Sequence, residues 1–135
     1  MREIKFRGLR VNGKGWVCGF YRKNTFYNLL GDEPLEVYTK YFIGCFDNKT
    51  RFDNIFEQVE VKPESVGQFT GLQDKSGVDI YEGDIIMSKS WNPQQYEIIF
   101  EEGEFCFISL EKVEVPYTNP IYHCICFEVI GNIHE

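Results

Sequence analysis

Three groups of residues have types and spacings from which chemistry can be built. The first is His123-Cys124-Ile125-Cys126, a Cys-x-Cys pair beside a histidine. Thiolates and imidazoles bind zinc, but side chains alternate along a strand, so Cys124 and Cys126 would share one face and His123 the other. A structural zinc site needs four ligands, commonly as two close pairs, and Cys18, Cys45 and Cys106 stand isolated. The cysteines therefore read as reduced core residues, and no metal is expected. The second group is acidic: Asp74, Asp79, Glu82 and Asp84, then Glu101, Glu102 and Glu104. Paired carboxylates can act as acid and base or hold Mg²⁺ or Ca²⁺. Here Asp74 and Asp84 lie where turns favour Asp, and the glutamates flank a hairpin tip open to water. The third group mixes cations with rings. Arg2, Lys5, Arg7, Arg10, Lys14, Arg22 and Lys23 face only Glu3 in the first 23 residues, with Trp16, Phe20 and Tyr21 among them. Such interleaving is expected where bases stack on rings between phosphate-binding cations. Strand alternation would divide these residues between two faces, and if the rings are core, the cations form a solvated face. No Gly-x-Ser-x-Gly elbow or Gly-rich phosphate loop occurs, so neither an enzyme nor a cofactor is expected.

The elements that must position these groups are strands. A chain of 135 residues has the size of one domain and buries roughly two thirds of its unfolded surface without staples. Its 12 Phe, 8 Tyr and 2 Trp favour pleated, half-buried surfaces over helices. Charge is uneven: 11 Lys and Arg against 8 Asp and Glu up to Pro63 give +3, whereas 3 against 13 beyond it give −10. An acidic second half repels a phosphate backbone, so only the first half offers a basic face. Five cysteines, with no apolar run of signal-peptide or membrane-span length, fit a cytosolic protein without a disulfide framework and without a membrane partner.

Taken in order, Glu3 to Arg7 alternates as a strand, Asn12-Gly13 marks a hairpin turn, and Trp16 to Tyr21 returns. Arg22-Lys23-Asn24 is expected to turn, with Thr25 to Leu30 a third strand and Leu35 to Ile43 a fourth. Phe46 to Ile55 is ambiguous between a turn and a single helical turn. Phe56 to Lys62 alternates and stops at Pro63, which cannot donate to a ladder. Val66 to Leu72 reads as a strand in which glycines admit a close backbone, Asp74-Lys75-Ser76-Gly77 as a turn, and Val78 to Ile80 and Ile85 to Met87 as further strands. Ser88 to Gln95 is expected to be an exposed loop holding Trp91. Tyr96 to Glu101 and Glu104 to Leu110 form a hairpin about Glu102-Gly103. Glu111 to Pro120, with Tyr117, reads as a second loop before closing strands in Ile121 to Ile133.

The run VGQFTGL from Val66, the Asp74 and Gly77 of the turn and the run IYEGDI from Ile80 resemble the signature of the YopX family, as do the start Met1 to Gly8 and the end Glu128 to Glu135. The resemblance implies a small, mainly β protein of phages and prophages, of unknown molecular role, with an SH3-like barrel in its C-terminal half. The expected architecture is thus an N-terminal antiparallel meander over residues 1–62 packed with a small barrel over residues 63–135. The function expected is a non-catalytic protein-interaction module, with loop residues Trp91 and Tyr117 anchoring a host or phage protein. The alternative is nucleic-acid binding through the basic N-terminal face of Arg2, Lys5, Arg7 and Arg10. Glycine-rich strands and an open edge also admit a homo-oligomer.

Overall fold

The structure, a computed structural model, describes residues 3–27, 37–45, 57–89, 93–111, 118–121 and 126–135. Over these the chain is mainly β and antiparallel. It divides into two compact units, Lys5–Val66 and Gly67–Glu135, the latter grouped with Met1–Ile4.

In the first unit β1 (Phe6–Leu9), β2 (Trp16–Tyr27), β3 (Val37–Cys45) and β4 (Glu57–Glu60) pair in sequence order as a meander. The β1–β2 turn is closed by Arg10 N–H donating to Gly15 O at 3.0 Å, and the Asn12 side chain caps Lys14 N–H at 3.0 Å. Val17, Ile43 and Val61 form the core, with Phe6, Tyr41, Val59 and Val66 against it. Gly8 leaves room there: a Cβ would press on Val61 and Ile43. A 3₁₀ turn at Pro63–Ser65 ends the unit, and the Ser65 hydroxyl accepts Leu9 N–H at 2.8 Å while donating to Lys62 O at 2.7 Å.

The turn expected at Arg22-Lys23-Asn24 does not form. These residues sit in the middle of the 12-residue β2, opposite Phe42, Tyr41 and Lys40 of β3. Their long stems can lie on neighbouring rings while their heads reach water, so polarity alone does not break the strand. Lys23 illustrates this, its ammonium standing 6.0 Å from the Tyr41 ring centre.

In the second unit β5 (Gly67–Gln73) and β6 (Asp79–Tyr81) form a hairpin, and β7 (Asp84–Met87), β8 (Gln95–Glu101), β9 (Glu104–Ser109), β10 (Thr118–Pro120) and β11 (Glu128–Asn132) form a sheet ordered β10-β9-β8-β7-β11. The β8–β9 turn has positive φ at both Glu102 (51°) and Gly103 (87°), the geometry whose twist matches a tight hairpin. Ile80, Ile86, Ile98 and Phe107 form the core under Leu72, Tyr96, Ile121, Phe127 and Val129. The expected loop from Glu111 to Pro120 contains β10, a three-residue edge strand ending at a proline that has no N–H to offer. The SH3-like barrel expected over residues 63–135 is not seen as a closed cylinder: β10 and β11 are the sheet's two edges, and among the described residues nothing joins them. The ambiguous stretch from Phe46 to Ile55 lies outside the described residues.

Candidate functional site

The site begins with the length of β2. Its register with β1 and β3 sorts side chains onto two faces, because directly opposed residues point the same way. One face carries Phe6, Val17, Tyr21, Tyr41 and Ile43 and is the core side; Tyr21 lies 5.5 Å from Phe6 and 6.3 Å from Tyr41, ring centre to ring centre. The other carries Arg7, Trp16, Cys18, Phe20, Arg22 and Phe26 with Tyr38, Lys40 and Phe42 of β3. Phe20 is 52% exposed, Tyr38 50% and Phe26 36%, which is far more ring surface than a sheet face normally leaves in water.

Three contacts organise this outer face. The Arg7 guanidinium stands 4.4 Å from the Trp16 ring centre, within cation–π range. Phe26 and Tyr38 stack across the β2–β3 ladder at 5.2 Å and 14°. Lys40 Nζ meets Glu60 Oε2 at 3.2 Å, so its charge is largely matched, whereas Arg22 is exposed. The face therefore alternates open rings with cations, and Glu60 is its one carboxylate among the described side chains.

Of the four basic residues named from sequence, the structure places Arg7 and Arg10 on different sides of the sheet. Arg7 is on the outer face. Arg10 pairs across an isolated bridge with Val61, a core residue, and so belongs to the opposite side. Lys5 precedes β1, and Arg2 lies outside the described residues. Phe26, Tyr38, Lys40 and Phe42 were missed because a turn was expected at Arg22. The signal that finds them is the unbroken run from Phe20 to Tyr27, which contains neither Gly nor Pro. Trp91 and Tyr117, the expected protein anchors, also lie outside the described residues.

The carboxylates divide into structural and solvated groups. Asp74 is 6% exposed: Oδ1 accepts the N–H groups of Ser76 (2.7 Å) and Val78 (3.0 Å), and Oδ2 accepts Val129 N–H (3.0 Å). Burial pushes this carboxyl up, but bonds from Val78, Val129, Ser76 and Gly77 outweigh it and hold the group below its ordinary value. Asp84, fully buried, accepts Tyr81 N–H at 2.8 Å and the Asn132 amide at 3.3 Å. Asp79 accepts the Gln73 amide at 2.9 Å. Each aspartate thus closes a turn or pins β11. Glu101, Glu102 and Glu104 are exposed at the hairpin tip.

Among the described residues no three His, Cys, Asp or Glu side chains are grouped to hold a metal ion, and His123 and Cys124 lie outside them. The core reading of the cysteines fails for Cys18 and Cys126, which are exposed; Cys18 falls on the outward phase of β2. Cys106 is buried, and burial, with the charges of Glu101 and Glu104, pushes its thiol up. A cleft of about 460 Å³ between β5, the β8–β9 hairpin and β10 is lined by Thr70, Leu72, Phe100, Glu104 and Ile121 among others. Among the described residues of that lining Glu104 is the only ionisable side chain, and the Thr70 hydroxyl is already spent on Ile80 O at 2.8 Å. No helix among the described residues is long and apolar enough to cross a membrane.

No curated protein matches the chain. A crystal structure of protein EF1440 from Enterococcus faecalis is similar, at 26% identity and a TM-score of 0.48 over 99% of this chain and 95% of that one. The profile described as YopX protein matches residues 22–135, most of the chain and the whole of the VGQFTGL and IYEGDI runs, so the protein belongs to the YopX family.

Proposed function

We propose that the protein works by binding nucleic acid on the outer face of its N-terminal meander, without catalysis and without a cofactor. The observation that carries this reading is the Arg7 guanidinium held over Trp16, followed along the same face by exposed Phe20 and Arg22. Cations for phosphates beside open rings for bases are the two parts such a surface needs. The reading that Trp91 and Tyr117 anchor a host or phage protein rests on residues outside those described, so the nucleic-acid reading stands first.

The test is binding of the full chain to DNA and RNA across a salt series, with Arg22→Glu as the variant. Arg22 is exposed, so the substitution leaves the fold intact. Affinity that falls with salt and drops in the variant supports the proposal. Absent or salt-independent binding rejects it.

A further inference from the structure

We infer that two copies of this chain join through the free edge of β3, antiparallel and about a two-fold axis at Tyr38. The inference is independent of what the outer face binds. β4 covers that edge only at residues 42–45, and Val61 adds one bond, its N–H donating to Tyr41 O at 2.9 Å. Backbone groups alternate sides along a strand, so Thr39 and Val37, like Tyr41, turn theirs away from β2. Among the described residues nothing pairs with them there. The meander here narrows to two strands, residues 25–27 against residues 37–39. Apolar surface stays open on both faces: Phe26 and Tyr38 on the outer one, Tyr27 (60% exposed) and Val37 (54%) on the other. A ribbon of two strands is marginal in water, and further strands stabilise it.

The edge fits a second copy of itself. With Tyr38 opposite Tyr38, each Val37 falls opposite the other copy's Thr39, and the outward N–H and C=O groups of these residues form four bonds across the axis. The two Tyr38 side chains meet at a close position of the ladder. Phe26 is stacked on Tyr38 at 5.2 Å within each copy, so four rings run in a row across the joined outer faces. No charge opposes its like in this register, and Lys40 keeps Glu60 of its own chain. An axis at Thr39 would instead set Val37 against Tyr41, whose carbonyl Val61 already occupies.

Other edges are blunted in the ways that keep sheets apart, by proline, charge or a bulge. β10 ends at Pro120, and β11 is bulged between Val129 and Gly131 and carries Glu128. The edge of β2 carries Arg22 and Lys23, so pairing two of them would gather four cations. Residues 37–39 have neither charge nor proline, and their register with β2 is unbroken.

The experiment measures the mass of the full chain by light scattering and sedimentation from about 5 to about 500 µM, a range suited to a small interface. The parent protein should shift from monomer to dimer with concentration. Tyr38→Glu sets two carboxylates together at the axis, and Thr39→Pro removes an outward N–H that only the second copy uses. Each should weaken dimerisation at least tenfold, with thermal melts confirming the fold. Tyr38→Cys places two Cα atoms about 4.5 Å apart, within disulfide reach. Mild oxidation should then give a covalent dimer, and mass mapping should find the bond between the two introduced thiols and not at exposed Cys18 or Cys126. A parent protein that stays monomeric throughout overturns the inference, as does self-association unchanged in both Tyr38→Glu and Thr39→Pro. Where a variant fails to fold, the mapped bond decides, and its absence overturns the inference.

Discussion

Replacing Asp74 by Ala removes its hydrogen bonds with Ser76, Val78 and Val129 at one stroke, and their cost can be worked from where each donor lies. Ser76 and Val78 are exposed turn residues whose N–H groups water can partly satisfy, so losing Oδ1 resembles losing a helix cap, about 1 kcal/mol. Val129 N–H is half-buried at the β11 bulge and bonds a charged acceptor, worth about 2 kcal/mol. Asp74→Ala should therefore cost about 3 kcal/mol, and Asp74→Asn, which keeps an oxygen for the turn but sets an amide against Val129 N–H, about 2 kcal/mol. The pH dependence has a definite sign. The folded carboxyl sits below its ordinary value of 3.8, so its stabilisation is complete above that value and is lost as pH falls through the lower folded one. Urea unfolding at pH 7 and at steps below pH 4 tests both points. The gap between the parent protein and Asp74→Asn should be widest at neutral pH and narrow in acid. A gap that stays constant with pH, or an Asp74→Ala cost under about 0.5 kcal/mol, would refute the reasoning, since ordinary surface substitutions stay within that range.

Further outcomes can be read in the same laboratory. Ile98→Ala, at a fully buried core position, should lower stability by about 2–5 kcal/mol in urea melts. Gly67→Ala places a Cβ against the Glu82 carbonyl oxygen and should reduce the yield of folded protein, whereas Gly77→Asn, at an open positive-φ turn position, should be tolerated. Site-mapped alkylation of the native protein should label Cys18 and Cys126 promptly and Cys106 only after unfolding, because only the last is buried. Lys89 bonds Glu128 at 2.6 Å on the surface, and that pair holds the Glu128 carboxyl below its usual range; Lys89→Ala should leave the melting temperature unchanged within error.

The family signature now has a physical reading. In VGQFTGL, Gly67 admits the Glu82 carbonyl, Phe69 packs 5.5 Å from Tyr81, and Thr70 ties β5 to β6. In IYEGDI, Ile80 and Ile86 are core, Gly83 takes a φ of 84° while its N–H donates to Ile98 O at 2.8 Å, and Asp84 holds Tyr81 and Asn132. These residues build the fold of the second unit, so the most recognisable stretch of the chain tells more about architecture than about ligand.

What the sequence determined by itself is what neighbouring residues decide among themselves. Alternation placed most strands, Asn12-Gly13 and Glu102-Gly103 marked their turns, and Asp74 beside Ser76 and Gly77 announced a loop closed on its own backbone. The outer face was not legible in this way. Whether Arg22, Lys23 and Asn24 turn or continue depends on β3 offering Phe42, Tyr41 and Lys40 as ladder partners, a contact between segments some twenty residues apart. The parting of Arg7 from Arg10 follows from their odd spacing along an extended chain, and only the bridge of Arg10 to Val61, a core residue, shows which of the two sides is the core. Local rules govern turns and periods because their energies lie within a few residues. Register and the sharing of a face are decided by pairing across the sheet, and that exists only once the chain has folded.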